Sequence, residues 1–487
     1  MKSIFAYIIF LASAAIAFCS CSDEDNFSTS ATDLLTFSTD TISMDTVFST
    51  VPSSTHSFWI HNKSGGSLRC TNVRLENGNQ SGFRVNVDGA FLSPTDGYQV
   101  NDIEIRKGDS ARVFVELTAP RSNRDMPRLV SDNIIFTLES GVSQKVNLNA
   151  YSWDAVFLRD MTIASDTTIR GDKPIVIYGP MTVAENATLK IESGTTLYFH
   201  ANAGLCVKGR LVCTGTPENN VTLRGDRLDN MFDYLPYDFM SGQWQGIRLE
   251  ETSYGNVVTY TDIHGAFNGL QVDSSDIDRT TLEMSNSTIH NCQGAALRTV
   301  CSKITIDNSQ LTNTLGSCLD IDGGDVSINN CTLAQFYPFD SNRGSALAFS
   351  AISHPLKSFV CQNSIVTGYA DDEMMGGKPD EDSKNEFNFH FKNCIIRTPK
   401  IETEDSVNFE NVVFEDVKDT TSMGIKHFVK IDSEKQRYDF HLSSASSAID
   451  KADPESALPN DHDGKARDNK PDIGAYEFYK NENQEEK

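Results

Sequence analysis

"DNSQLTNTLGSCLDIDGG" (Asp307–Gly324) is preceded by "SNSTIHNCQGAALRTV" (Ser285–Val300) and followed by "NNCTLAQF" (Asn329–Phe336). In each stretch an Asn is followed by Ser or Cys, then one residue, then Ile or Leu, and Asn286, Asn308 and Asn330 stand 22 residues apart. The Asn returns at Asn363, Asn393 and Asn411. Gly294, Gly316 and Gly344 make a second column, each followed three residues later by Leu297, Leu319 and Leu347. A fixed period whose unit cannot bury its own apolar face predicts a solenoid, in which each unit packs on its neighbours. A leucine-rich repeat would show L-x-x-L-x-L; this unit instead offers short strands parted by Asn and Gly, one winding of a right-handed parallel β-helix. Windings stack at ~4.8 Å, so about ten of them would run ~48 Å, with the Asn residues above one another and their amides bonding along the stack. The wider gaps of 33 and 30 residues imply insertions, one between Tyr337 and Arg343 and one within "YADDEMMGGKPDEDSKNEF".

Working outward, residues 153–440 share this texture, with "TLKIESGTTLYF" (Thr188–Phe199) and "AGLCVKGRLVCTGT" (Ala203–Thr216) punctuated by Gly and free of any helical period. Residues 33–152 alternate apolar and polar positions instead. "HSFWIHN" (His56–Asn62), "LRCTNVRLEN" (Leu68–Asn77), "FRVNVDG" (Phe83–Gly89) and "DIEIRKGDSARVFVELTAP" (Asp102–Pro120) are period-two strands separated by turn residues. Roughly seven short strands over such a length predict an immunoglobulin-like sandwich, with Trp59 in its core. The expected fold class is therefore all-β, a sandwich followed by a β-helix. Residues 441–478 make a closing segment, expected to cover the last winding and its strand edges, and residues 479–487 a disordered tail.

The first residues are a targeting device. Lys2 and the apolar "IFAYIIFLASAAIAF" (Ile4–Phe18) make a secretory leader over residues 1–20, and a polar tether over 21–32 follows. Cys21 precedes the acidic "SDEDN" (Ser22–Asn26), a pattern that resembles a bacterial lipoprotein signal with a surface-export tag; the resemblance implies acylation of Cys21 and a membrane partner. Phe18 stands where such signals usually carry Leu, and the alternative is a plain cleaved signal.

Several further stretches carry a wider resemblance. "LTFSTDTISMDTVFSTV" (Leu35–Val51), "DKPIVIYGPMTV" (Asp172–Val183), "GTTLYFHANAGLCVKGRL" (Gly194–Leu211), "GQWQGIRL" (Gly242–Leu249) and "DHDGKARDNKPDIGAYEF" (Asp461–Phe478) resemble a family of Bacteroidota surface lipoproteins. The resemblance implies an immunoglobulin-like domain, a right-handed parallel β-helix and a "PDIGAYE" closing segment at the outer membrane. It carries no catalytic residue across.

Composition removes several function classes. A net charge of −25, from 67 acidic and 42 basic residues, excludes a nucleic-acid partner held by counterion release. Eleven cysteines include Cys19 and Cys21, leaving an odd nine without CxxC pairs, which is no disulfide framework. Cys331 and Cys394 fill the slot that Ser287 and Ser309 occupy elsewhere, as small buried residues. G-x-S-x-G, H-E-x-x-H and phosphate-cradling glycine motifs are absent.

Candidate sites lie on the outward face. With Leu297, Leu319 and Leu347 inward, alternation points Arg298, Asp320 and Ala348 outward, and likewise Val300, Asp322 and Ser350. Asp320 and Asp322, about 6.8 Å apart along one strand, beside Arg298 and Lys303, make the weak catalytic candidates: carboxylates to hold Ca²⁺ against a uronate and a base to take its C5 proton. Cross-coil ion pairing on a solvated face is the favoured alternative. "DRLDNMFDYLPYDFMSGQW" (Asp226–Trp244) supplies Phe232, Tyr234, Tyr237, Phe239 and Trp244 as ligand-stacking aromatics, or as an insertion packed back on the helix. Asp371, Asp372, Asp380 and Asp382 in "DDEMMGGKPDED" are the candidate Ca²⁺ ligands, solvation being the alternative. No other cofactor is expected. The expected function is binding of a polymer such as a glycan, by a monomer and without catalysis; the alternative is a polysaccharide lyase or glycoside hydrolase on the outward face.

Overall fold

The structure is a computed structural model that describes residues 26–479 apart from Asp233 and Thr420, so the acylation expected at Cys21 lies outside the described residues. The chain divides into two compact units, Met1–Asp154 and Ala155–Lys487. No helix among the described residues is long and apolar enough to cross a membrane.

The first unit is a two-sheet sandwich. One sheet orders Thr36–Phe37, His56–His61, Ser110–Leu117, Phe83–Val87 and Ala90–Phe91. The other orders Thr41–Phe48, Ser143–Trp153, Arg128–Leu138, Leu68–Leu75 and Gln99–Val100, with Ile103–Ile105 also on Leu68–Leu75. Thr41–Phe48 pairs parallel with Ser143–Trp153, whereas the other pairs are antiparallel. Alternation delivers Phe58, Ile60, Val113, Val115, Phe83 and Phe136 to the core. Trp59 is a correction. It falls between Phe58 and Ile60, faces outward at 43% exposure, and is covered in part by the Arg112 guanidinium 5.4 Å from its ring.

The second unit winds a 26-stranded parallel sheet from Val156–Ile163 to Val413–Phe414. The repeat columns are vertical neighbours as the period requires. Leu297 pairs with Leu319, Leu319 with Leu347 and Leu347 with Met374, all four buried. Asn286, Asn308, Asn330, Asn363, Asn393 and Asn411 all adopt the left-handed conformation, with φ between 44° and 52°. Asn is the non-glycine residue that enters this region most readily, so it marks the bend where one strand turns into the next. The Ser or Cys that follows completes the corner. Ser287 accepts from the Thr261 N–H at 3.0 Å, and Ser364 from the Cys331 N–H at 3.0 Å. Each hydroxyl donates back to the carbonyl two residues earlier, Ser309 to Asp307 at 2.7 Å and Ser364 to Gln362 at 2.7 Å. Cys331 and Cys394 occupy this slot buried and without a disulfide.

The Asn amides do not mainly bond along the stack, as expected from spacing, but outward to the C-terminal segment. Asn286 Nδ2 donates to the Asp461 carbonyl at 2.8 Å, Asn308 to Asn460 at 2.8 Å and Asn330 to Asp472 at 3.3 Å. In return the Oδ1 atoms of Asn330 and Asn363 accept from the N–H of Leu458 at 3.0 Å and of Asp453 at 2.9 Å. A side-chain amide at a bend projects from the coil, and the unpaired backbone beside it needs partners, which explains the match. Residues 453–478 thus form a strap along the flank of successive windings rather than a plug over the last one. The strap is preceded by a hairpin, Phe428–Asp432 with Arg437–Leu442. Phe428, Phe440, Ile473 and Tyr476 join Phe336 and Ile365 in a separate apolar cluster that fixes hairpin and strap to the solenoid.

Candidate ligand-binding cleft

The outward face read from the sequence has the expected register. Arg298 pairs with Asp320, Val300 with Asp322 and Lys303 with Asp325. Arg298 Nε lies 3.5 Å from Asp320, Lys303 Nζ 3.2 Å from Asp325, and His354 Nδ1 3.2 Å from Asp322. Burial raises the Asp320 carboxyl, against the pull of Arg298. The catalytic candidates Arg298, Lys303, Asp320 and Asp322 are therefore rungs of cross-coil ion pairs, on side chains one-fifth to one-half exposed, where such pairs contribute about 0–1 kcal/mol.

The aromatic insertion divides in two. Trp244 is a correction: it is wholly buried, stacks on Phe199 at 4.2 Å and donates its indole N–H to the His264 carbonyl at 2.9 Å, so no ligand reaches it. Phe232 and Tyr234 stack on each other at 5.9 Å and are more than half exposed. Tyr237 lies under the Arg227 guanidinium at 3.9 Å, and Phe239 under Arg437 at 4.8 Å. The acidic loop shows no converging set. Asp371 faces the Arg397 guanidinium at 3.5 Å, Asp372 accepts from Thr398 at 2.7 Å, and Asp380 and Asp382 are solvent-exposed. Solvated carboxylates committed to protein donors do not make the Ca²⁺ cage the sequence suggested.

A cleft of about 610 Å³ lies where the hairpin faces the solenoid. The solenoid contributes Thr288, His290, Gln310 and Thr312 among others; the hairpin contributes Lys430, Arg437, Tyr438 and His441; Phe239 and Tyr476 add further aromatic rings. Its polar groups are held in place. Tyr476 donates its hydroxyl to Gln310 Oε1 at 2.8 Å, and Gln310 Nε2 donates to Thr312 Oγ1 at 3.2 Å. His441 lies between Asp439 at 2.7 Å and Asp463 at 3.0 Å, and the Tyr476 ring packs 4.2 Å from it. The Asp463 hydrogen bond, acting against partial burial, raises the His441 imidazole, and Asp463 is correspondingly lowered. Burial raises the Tyr476 phenol, with carboxylates adding to it.

Behind His290 runs a chain of charged groups that the sequence reading missed. Asp262 and His264 are two apart on Thr261–His264 and so share a face, and His290 sits directly beside His264 on the next winding, the rings 4.8 Å apart. Asp262 Oδ1 meets His264 Nδ1 at 2.7 Å and His290 Nε2 at 3.3 Å. His264 Nε2 meets Asp238 at 2.8 Å, and Arg224 meets the same Asp238 oxygen at 2.8 Å. Burial opposes the charge on His264, but Asp262 and Asp238 outweigh it and hold the imidazole up at about 9. Asp262 and Asp238 are lowered by the same contacts, in spite of burial. "TDIHG" and "STIHN", one winding apart, were the available signal.

A family model described as a right-handed beta helix region matches residues 219–372. No curated protein matches the sequence. Among solved structures, pectate lyase Pel9A is 12% identical, with 67% of this chain and 88% of that chain covered and a TM-score of 0.29. The catalytic unit of the thermostable GH87 alpha-1,3-glucanase from Streptomyces thermodiastaticus strain HF3-3 is 10% identical, with 74% and 88% covered and a TM-score of 0.24. A family 123 glycoside hydrolase from Clostridium perfringens is 12% identical with a TM-score of 0.17, and this chain spans 26% of its length. Similarity at this level transfers no substrate and no activity.

Proposed function

We propose that this β-helix protein is a lipid-anchored cell-surface component that binds a glycan in the cleft between hairpin and solenoid, without turning it over. The observation that carries this reading is the lining itself. Phe239 and Tyr438 offer ring faces for sugar stacking, while Lys430 and Arg437 offer cationic partners for hydroxyl or acidic groups. Gln310 and Thr312 behind them are buried and hydrogen-bonded, so the floor of the cleft is ordered before a ligand arrives. The anchor rests on Cys21 and the acidic residues after it, and on the resemblance to surface lipoproteins.

A glycan array probed with the mature chain tests the binding, followed by calorimetry on the retained oligosaccharide with Phe239→Ala and Arg437→Ala. Loss of at least tenfold in affinity in both variants is expected. Retention of no glycan, or binding indifferent to both substitutions, overturns the reading. New reducing ends or unsaturated products from the retained glycan would replace the binder by the hydrolase or lyase alternative. For the anchor, Cys21→Ala is expected to move the protein from the membrane to the soluble fraction and to abolish fatty-acid labelling.

A further inference from the structure

We propose that Asp262, His264 and His290 form a binding site for one divalent transition-metal ion of the zinc class, on the wall of the cleft and with an open coordination position. The donor set is two imidazoles and one carboxylate, the set that borderline ions take in preference to the all-oxygen cages of Ca²⁺ or Mg²⁺. All three ligand atoms lie within 4.8 Å of one another.

The backbone pre-forms the arrangement. Asp262 and His264 project from one strand two residues apart, and His290 projects from the adjacent strand in register with His264, so a rigid parallel sheet presents three donors on one face. Tetrahedral coordination with bonds of about 2.0–2.1 Å separates neighbouring donors by about 3.3 Å. His290 Nε2 and Asp262 Oδ1 are already 3.3 Å apart. The 2.7 Å between His264 Nδ1 and Asp262 Oδ1 is a hydrogen bond that an ion would replace, releasing the Nδ1 proton to solvent and opening the separation by about half an ångström.

The surroundings follow the pattern that supports metal-bound imidazoles. The far nitrogen of His264 meets Asp238 at 2.8 Å, and Arg224 fixes that carboxylate at 2.8 Å. A carboxylate on the distal nitrogen sets the tautomer and aims the other nitrogen at the ion. The His264 carbonyl is itself held by the Trp244 indole, so the ring is anchored at both ends. His264 is buried and Asp238 about one-third exposed, whereas His290 lines the cleft. Three protein donors with one side open leave room for a water or for a ligand oxygen.

The test uses the mature chain freed of metal with a chelator and titrated with Zn²⁺ by calorimetry and with Co²⁺ by visible absorption. One ion per chain is expected, with Co²⁺ bands of a four- or five-coordinate site. His290→Ala and Asp262→Asn should abolish it, and Asp238→Asn should weaken it by about 10–100-fold. His441→Ala, which alters the other imidazole of the cleft, should leave it intact. Absence of binding by Zn²⁺ and Co²⁺, or binding that survives His290→Ala and disappears with His441→Ala, overturns the proposal. Should the variants fail to fold, Cu²⁺ electron paramagnetic resonance on the wild-type chain decides: coupling to two imidazole nitrogens supports the site, and an all-oxygen signature refutes it. A metal-binding result is independent of any glycan result, so either proposal can fail alone.

Discussion

Arg467 Nη1 lies 3.0 Å from Glu477 Oε2 within the strap, with both side chains almost wholly buried. Nη1 also donates to the Asp472 carbonyl at 3.2 Å, and Nη2 reaches the carbonyls of Gly474 at 2.9 Å and Ala475 at 3.1 Å and the amide oxygen of Asn308 at 3.1 Å. Glu477 accepts in turn from the N–H groups of Asp468 at 3.1 Å and Asp472 at 3.0 Å. The pair therefore folds the strap on itself and joins it to the Asn column. Removing one partner of a buried pair leaves an uncompensated charge, so Glu477→Ala should cost about 3–5 kcal/mol. Urea denaturation reads the loss, and limited proteolysis should show early cleavage within residues 453–478.

The Asn column makes two separable contributions, conformation and strap bonding. Asn330 holds φ at 50° and bonds the strap at both ends of its amide. Asn330→Ala should lose both, a left-handed residue at about 1–2 kcal/mol and a buried amide left unpaired at about 1–3 kcal/mol. Asn330→Gly keeps the conformation and should lose the second contribution alone. Asn411 has the same φ, 52°, but is exposed, so Asn411→Gly should cost less than about 1 kcal/mol. Chemical denaturation of the three variants checks the ordering; equal losses for Gly at both positions would contradict the strap's role.

These residues also show what could be read from the sequence. The 22-residue spacing of Asn286, Asn308 and Asn330 was sufficient for the winding, because stacking repeats is the only way to bury Leu297 and its successors, and local alternation gave the pairing of Arg298 with Asp320. What the spacing lacks is any record of contacts made across more than one winding. The amide of Asn308 reaches Asn460, 152 residues away, so the strap was misread as a plug. Trp59 is absent from the core where it was expected, and Trp244 takes the packed-back one of its two expected places, for a related reason. Trp244 sits in a loop without period, where burial is decided by Phe199 and the His264 carbonyl, and Trp59 lies on the outer phase of its own strand. The cleft, too, needs the hairpin of residues 428–442 folded against Thr288–His290, a tertiary event without a local signature.

Glu373 supplies a pH dependence. It is fully buried, and burial pushes its carboxyl up to about 8 from an ordinary value of 4.5, despite the N–H groups of Ala370 at 2.7 Å and Ala346 at 2.9 Å and the nearby Arg343 and Arg397. Between those two values the folded state holds a proton that the unfolded state has released. Its contribution is therefore full below pH 4.5 and is lost as pH rises toward 8. Glu373→Gln is neutral throughout, so the variant's melting temperature should vary less than wild type's between pH 5 and 8, and at pH 8 it should exceed wild type's. Parallel melting curves across that range would show that another group governs the slope.

Two glycines separate backbone conformation from close approach. Gly246, in "GQWQGIRL", has φ of 92°, and a Cβ there would lie 1.5 Å from the Asn268 carbonyl oxygen on the next winding. Gly89, in the sandwich, has φ of 86° with nothing within 4 Å of the same position. Alanine at Gly89 should cost only the strain of a left-handed residue, about 1–2 kcal/mol. At Gly246 a further about 1–3 kcal/mol of overpacking is added, because the adjoining windings must part. The displacement would be felt two residues away at Trp244, and so at the His264 carbonyl that its indole holds. Gly246→Ala should therefore lower stability more than Gly89→Ala and also red-shift or broaden the tryptophan emission, which Gly89→Ala leaves unchanged. Equal destabilisation without a change in emission would mean that the windings accommodate the methyl group, and that Trp244 does not sense the spacing between them.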